Sequence, residues 1–119
     1  MRATRRLEPS DTPVAAVAVT GQWAGTVPVA ADGTVVGNAL TWLDSRGAAH
    51  TRRHVGGRVR VQGYGPARIA RWIRVTGGAP SLSGRDPFGQ ALFLREERPE
   101  TYAAATTLLE PVDWLNFQL

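Results

Sequence analysis

Proline and glycine punctuation limits the length of every element this chain can form. Proline fixes φ and carries no N–H, so it suits the first turn of a helix and breaks the interior. Eight prolines and thirteen glycines are spread over 119 residues. Pro66, Pro87, Pro99 and Pro111 each stand where a helical stretch begins. The clearest stretch is Pro66 to Thr76. Ile69, Trp72 and Ile73 make an i, i+3, i+4 stripe, with Arg68, Arg71 and Arg74 off it. Gly77-Gly78 and then Pro80 stop it. This reads as an amphipathic helix with a core Trp and solvated arginines. Ser83-Gly84-Arg85-Asp86-Pro87 signals a second start, with Asp86 placed to cap free amides and Phe88, Ala91, Leu92 and Leu94 supplying apolar contacts. Arg98-Pro99-Glu100 breaks and restarts the chain, with Tyr102 to Thr106 helical. Leu108-Leu109 is a short apolar step, and Glu110-Pro111-Val112-Asp113 opens a last helix carrying Trp114, Leu115 and Phe117.

The first half reads as strands. Residues 1–9 are polar and basic and fit the end of a helix, and Asp11-Thr12-Pro13 signals a turn. Val14 to Thr20 is a short apolar, β-branched run and reads as a buried strand. Gly21-Gln22-Trp23-Ala24-Gly25 follows directly. It reads either as a ligand loop at a strand's carboxyl end or as a tight turn with Trp23 in the core. Asp32-Gly33 lies between two β-prone runs, Thr26–Ala30 and Thr34–Val36, and predicts a hairpin. Pro28 confines that hairpin to an edge. Ala39 to Leu43 reads as a further strand, ended by Asp44-Ser45-Arg46-Gly47. Residues 47–65 show less regularity.

Composition removes several chemistries. The chain has no cysteine, which excludes disulfides, thiolate metal sites and cysteine nucleophiles. All fourteen basic residues are arginine, so there is no Walker phosphate loop, which needs lysine. No apolar run approaches the ~20 residues that span a bilayer. Leu7-Glu8-Pro9-Ser10-Asp11 stands where a signal peptide would be apolar, so the cytoplasm is the expected location. His50 and His54 sit four apart, but no carboxylate or thiol completes a recognisable ligand set, and they read as part of a solvated face. The net charge is +4, and Arg52, Arg53, Arg58 and Arg60 form a basic patch. A small Arg-rich nucleic-acid-binding module is therefore the alternative reading.

The ordered landmarks resemble the FGGY carbohydrate kinases, with xylulokinase-like members the nearest in pattern. They are Val14–Thr20 with its Gly21–Gly25 loop, the Asp32-Gly33 hairpin, and Asn38-Ala39-Leu40-Thr41-Trp42-Leu43-Asp44-Ser45-Arg46. Thr76-Gly77-Gly78-Ala79-Pro80, Ser83–Pro87, Arg98-Pro99-Glu100-Thr101-Tyr102 and Leu109–Asn116 follow. The resemblance covers nearly the whole chain. It implies an α/β fold: a partial ribonuclease H-like (actin-like ATPase) domain with a mixed β-sheet, an edge hairpin and C-terminal helices. Residues 1–119 would form part of the kinase's N-terminal domain, on its sugar-binding side. The implied activity is ATP-dependent phosphorylation of a sugar or polyol such as xylulose, with ATP and Mg as cofactors of the complete enzyme.

This chain departs from that family by lacking the Asp-x-Gly-Thr phosphate loop, the catalytic Asp and the second domain. The resemblance therefore implies a fragment that is inactive alone, binds no cofactor by itself and contributes no catalytic residue. The substrate contacts it implies are Gln22, Trp23, Ala24, Trp42 and Asp44. Asp44 would either orient the site or pair with Arg46. The expected partners are a sugar or polyol and the remaining kinase segments; neither membrane nor nucleic acid is expected.

Overall fold

The structure is a computed structural model that describes residues 13–119. The helix end expected over 1–9 and the Asp11-Thr12 part of the turn lie outside them. The chain forms β1 (Val27–Val29), α1 (Ala48–Val55), α2 (Pro66–Thr76), α3 (Pro87–Glu97), α4 (Pro99–Ala104), β2 (Thr107–Leu109) and α5 (Pro111–Phe117). It is a mixed α/β arrangement around a two-stranded antiparallel sheet in which Val27 faces Leu109 and Val29 faces Thr107.

Proline opens every helix from α2 to α5. Its missing N–H falls where no intrahelical partner exists, so the placement costs little. Asp86 caps α3 by accepting from Gly89 N at 2.9 Å, and its other oxygen accepts from Ser81 N at 2.6 Å. Gly77 ends α2 in the left-handed region at φ 77°.

The hairpin forms at Asp32-Gly33. Ala30 N donates to Thr34 O, Val36 N to Pro28 O, and Gly33 has φ 84°. Pro28 does stand in an edge strand of the two-stranded sheet, but that edge is covered. Pro28 is fully buried in β1, with Leu108 on one side and Val36 on the other. Its missing donor points toward residues 34–40, as do the backbone groups of Thr26 and Ala30. On that side the pairing is only two isolated bridges, Thr26–Leu40 and Val29–Val35, rather than a strand. The strand expected over Ala39–Leu43 therefore reduces to the Leu40 bridge, and Thr41 to Asp44 turns, with Asp44 N on Thr41 O at 2.9 Å.

Five further expectations are corrected. Val14–Thr20 is neither a strand nor buried: Val14 is 77% and Val17 61% exposed. A strand needs a neighbouring backbone to bond, and no described segment pairs with this one. Residues 48–55 form a helix rather than irregular structure. Leu108 and Leu109 belong to β2 rather than to a loop step, and the helix before them stops at Ala104, short of Thr106. α2 buries none of its residues, so Trp72 is half-buried rather than a core residue; its ring meets Phe88 edge-on at 4.4 Å.

The core lies around α3. Leu40, Phe93 and Leu94 cluster with Leu108 packed against them, and Leu92, Val55, Val27 and Val29 are also buried. Arg46 covers the Phe93 ring at 4.4 Å, a cation–π contact. No helix among the described residues is long and apolar enough to cross a membrane.

Candidate functional site

The loop from Gly21 to Gly25 is held by its neighbours. Gly25 lies against Pro111 and the carbonyl of Leu40, so closely that a Cβ there would stand 2.8 Å from the proline ring. Ala24 is buried with φ 59°, a left-handed conformation unusual for a residue with a side chain. This twist turns Trp23 outward, where it is 80% exposed, so the core-Trp reading of the loop fails.

Gln22, Trp23, Ala24 and Trp42 line one hollow of about 460 Å³. Its opposite wall is Ser81, Arg85, Asp86 and Pro87, the approach to α3. The hollow is thus walled by two indoles and a proline ring, with Gln22, Ser81, Arg85 and Asp86 as polar groups, the Asp86 carboxylate being engaged by Ser81 N and Gly89 N. Such a mix suits a small ligand with an apolar face and hydroxyl groups.

Gln90 ties the walls together. It is 1% exposed, and its Nε2 lies 3.1 Å from Ala24 O, 2.9 Å from Thr41 O and 3.1 Å from Arg85 O. A side-chain amide has two N–H groups, so one is shared between two carbonyls. One side chain on α3 therefore anchors the Trp23 loop, the Trp42 turn and the Arg85 segment.

Asp44 does not line the hollow. Its carboxylate takes Arg46 in a fork, with Nε at 3.0 and 3.1 Å and Nη2 at 2.5 Å, and accepts the Arg46 backbone N–H at 3.0 Å. The Arg46 side-chain bonds hold the Asp44 carboxyl below its ordinary value. A depressed carboxyl stabilises the fold above its unfolded value, near 3.9, and that contribution is lost as pH falls through the folded one. Acid titration of thermal stability should therefore fall less steeply below about pH 4 for Asp44→Asn than for the parent chain. Parallel curves would remove the pair from the stability account.

The two histidines separate. His50 is buried, with Nδ1 3.0 Å from Glu96 and Nε2 3.3 Å from Glu97, and Glu96 also pairs with Arg53. His54 is exposed and meets the Phe88 edge. The expectation of a solvated face holds for His54 and fails for His50, because α3's last turn supplies carboxylates to it. No group of three or more His, Asp or Glu side chains suited to a metal occurs among the described residues.

Ser81, Arg85, Pro87 and Gln90 are not among the site residues expected from the sequence. Asp86-Pro87 reads locally as a helix start, which says nothing of what the start faces. Gln90 does carry a signal: it is a polar residue inside the apolar run Phe88–Leu94, where a buried amide needs several partners.

No protein-family model matches this chain, and no curated protein matches it. The crystal structure of xylulose kinase from Bifidobacterium adolescentis does, with a TM-score of 0.67 and 26% identity over 88% of this chain. The chain is similar to a segment of a carbohydrate kinase. It spans about a fifth of that xylulose kinase, 22% of its length. The resemblance first seen in the order of the motifs thus extends to the backbone path.

Proposed function

We propose that the chain is the sugar-binding portion of a carbohydrate kinase's N-terminal, ribonuclease H-like domain, and that the hollow between Trp23 and Trp42 receives the sugar or polyol. The observation that carries this reading is the convergence of both indoles on one hollow in a backbone similar to that of a xylulose kinase. An exposed indole covers the C–H face of a sugar and removes apolar surface from water. Ala24 offers no side-chain hydrogen bond, so the hydroxyl contacts fall to Gln22, Ser81 and Arg85. A site selects hydroxyls through the donors and acceptors it buries against them. Asp44 acts at a distance in this reading, by fixing the turn that carries Trp42.

ATP and Mg belong to the complete enzyme. The donor set here does not fit Mg: no acidic cluster among the described residues would hold a hard divalent cation. In the complete enzyme the phosphoryl group would come from ATP, and the role of these residues is to bind and orient the acceptor hydroxyl and to exclude water.

Titration of the tryptophan fluorescence with D-xylulose, other ketoses and polyols tests this. Saturable quenching is expected for at least one sugar, and Trp23→Ala should weaken it by about tenfold, ~1.4 kcal/mol. A cooperatively folded chain that gives no saturable response to any of them would sink the reading.

A further inference from the structure

A second hollow, of about 520 Å³, shares no residue with the first. The end of α1, the loop after it and the start of α2 enclose it, and Arg52, Arg53, Arg58, Arg60 and Arg68 line it with Gly56 and Gly57. No acidic residue is in the lining. Of the five arginines only Arg53 has an acidic partner among the described residues, Glu96.

The carbonyl end of α1 would ordinarily offset this charge. Here each carbonyl of its last turn is already engaged. Arg52 O accepts from Gly56 N, Val55 O accepts from Gly65 N, and the Arg68 guanidinium bonds Arg53 O at 3.3 Å and His54 O at 2.9 Å. The same bonds fix Arg68. Arg60 is fixed by donating from Nε to Gly57 O at 3.2 Å, which leaves its terminal nitrogens unengaged by any described residue. Guanidiniums held in place before a ligand arrives lose less freedom on binding it.

We propose that this hollow binds a small anion carrying two or more phosphoryl groups. Fixed guanidinium forks match phosphoryl oxygens in pairs, and a concave wall of one sign concentrates such anions. A nucleic-acid surface would add aromatic faces for base stacking. No aromatic side chain is in the lining of this hollow.

Calorimetric titration of the full chain with inorganic tripolyphosphate tests the proposal. Arg52 and Arg58 make no side-chain bond to a described residue, so Arg52→Ser/Arg58→Ser should fold with an unchanged circular dichroism spectrum. Saturable one-to-one binding is expected, weakened about tenfold or more in that variant. The charge-matched control Arg71→Ser/Arg74→Ser, neither of which lines this hollow or the first, should bind as the parent does. Equal weakening by both variants would reduce the effect to net charge and overturn the site, as would binding that never saturates. Tighter binding of a single-stranded RNA, with a steeper salt dependence, would replace the small anion by a polynucleotide.

Discussion

Gly84→Ala is expected to cost the fold about 2–5 kcal/mol, from left-handed strain of ~1–2 and overpacking of ~1–3. Gly84 has φ 66°, and a Cβ there would stand 2.1 Å from Ala48 N and 2.2 Å from Gly47 C. These are backbone atoms at the start of α1, which cannot rotate aside as a side chain would. Gly47 and Gly89 repeat the constraint: a Cβ on Gly47 would meet Gly89 O at 2.3 Å, and one on Gly89 would meet Gly84 Cα at 2.6 Å. Three glycines thus let the starts of α1 and α3 touch through bare backbone. Against a total stability of about 5–15 kcal/mol for a small domain, the loss is large. Gly77→Ala is the control, because Gly77 also has a positive φ of 77° but nothing within 4 Å of its Cβ position. Urea denaturation should show Gly84→Ala losing at least twice what Gly77→Ala loses. Equal losses would mean that strain alone matters and that the helices do not approach so closely.

Four of the five described helices, α2 to α5, were legible because their signals are local, whereas α1 has no proline start and was not. Pro66, Pro87, Pro99 and Pro111 announce first turns whatever lies around them, and Gly77 ends α2 by its own conformation. The Asp32-Gly33 turn is local in the same way. The strands were less legible, because a strand is defined by its partner. Val14–Thr20 has strand composition and no described neighbour, whereas Thr107–Leu109 is a strand only because β1 lies beside it. Half of the candidate site could be read: Gln22, Trp23, Ala24 and Trp42 do share a hollow. Asp44 could not be assigned, since two residues on stands an arginine that takes both its oxygens. The far wall was hidden because Ser81 and Arg85 reach the hollow only through the placement of α3, roughly sixty residues beyond Trp23 in the chain.

Gln90 carries that placement, and its substitution should affect stability and the site together. Gln90→Leu keeps the volume but removes both donors, leaving the carbonyls of Ala24 and Arg85 without one, while Thr41 O keeps Asp44 N. A buried polar group left unpaired costs about 1–3 kcal/mol, so a loss of that size is expected, carried mainly by the buried Ala24 carbonyl. The sugar titration should weaken as well, because the Trp23 loop and the Trp42 turn lose their common anchor. Gln90→Glu separates the amide's hydrogen bonds from its shape. At neutral pH a carboxylate there accepts only and faces three carbonyls, so this variant should be less stable than Gln90→Leu. Burial against those oxygens would raise its folded pKa above the unfolded value near 4.3. Relative to the parent, the variant then recovers stability as pH falls through that raised value, when the protonated carboxyl can donate one bond. Denaturation midpoints measured from pH 7 to pH 4 should show the gap to the parent narrowing. A Gln90→Leu chain with an unchanged midpoint and unchanged sugar response would mean that the Ala24 and Arg85 carbonyls find their donors elsewhere.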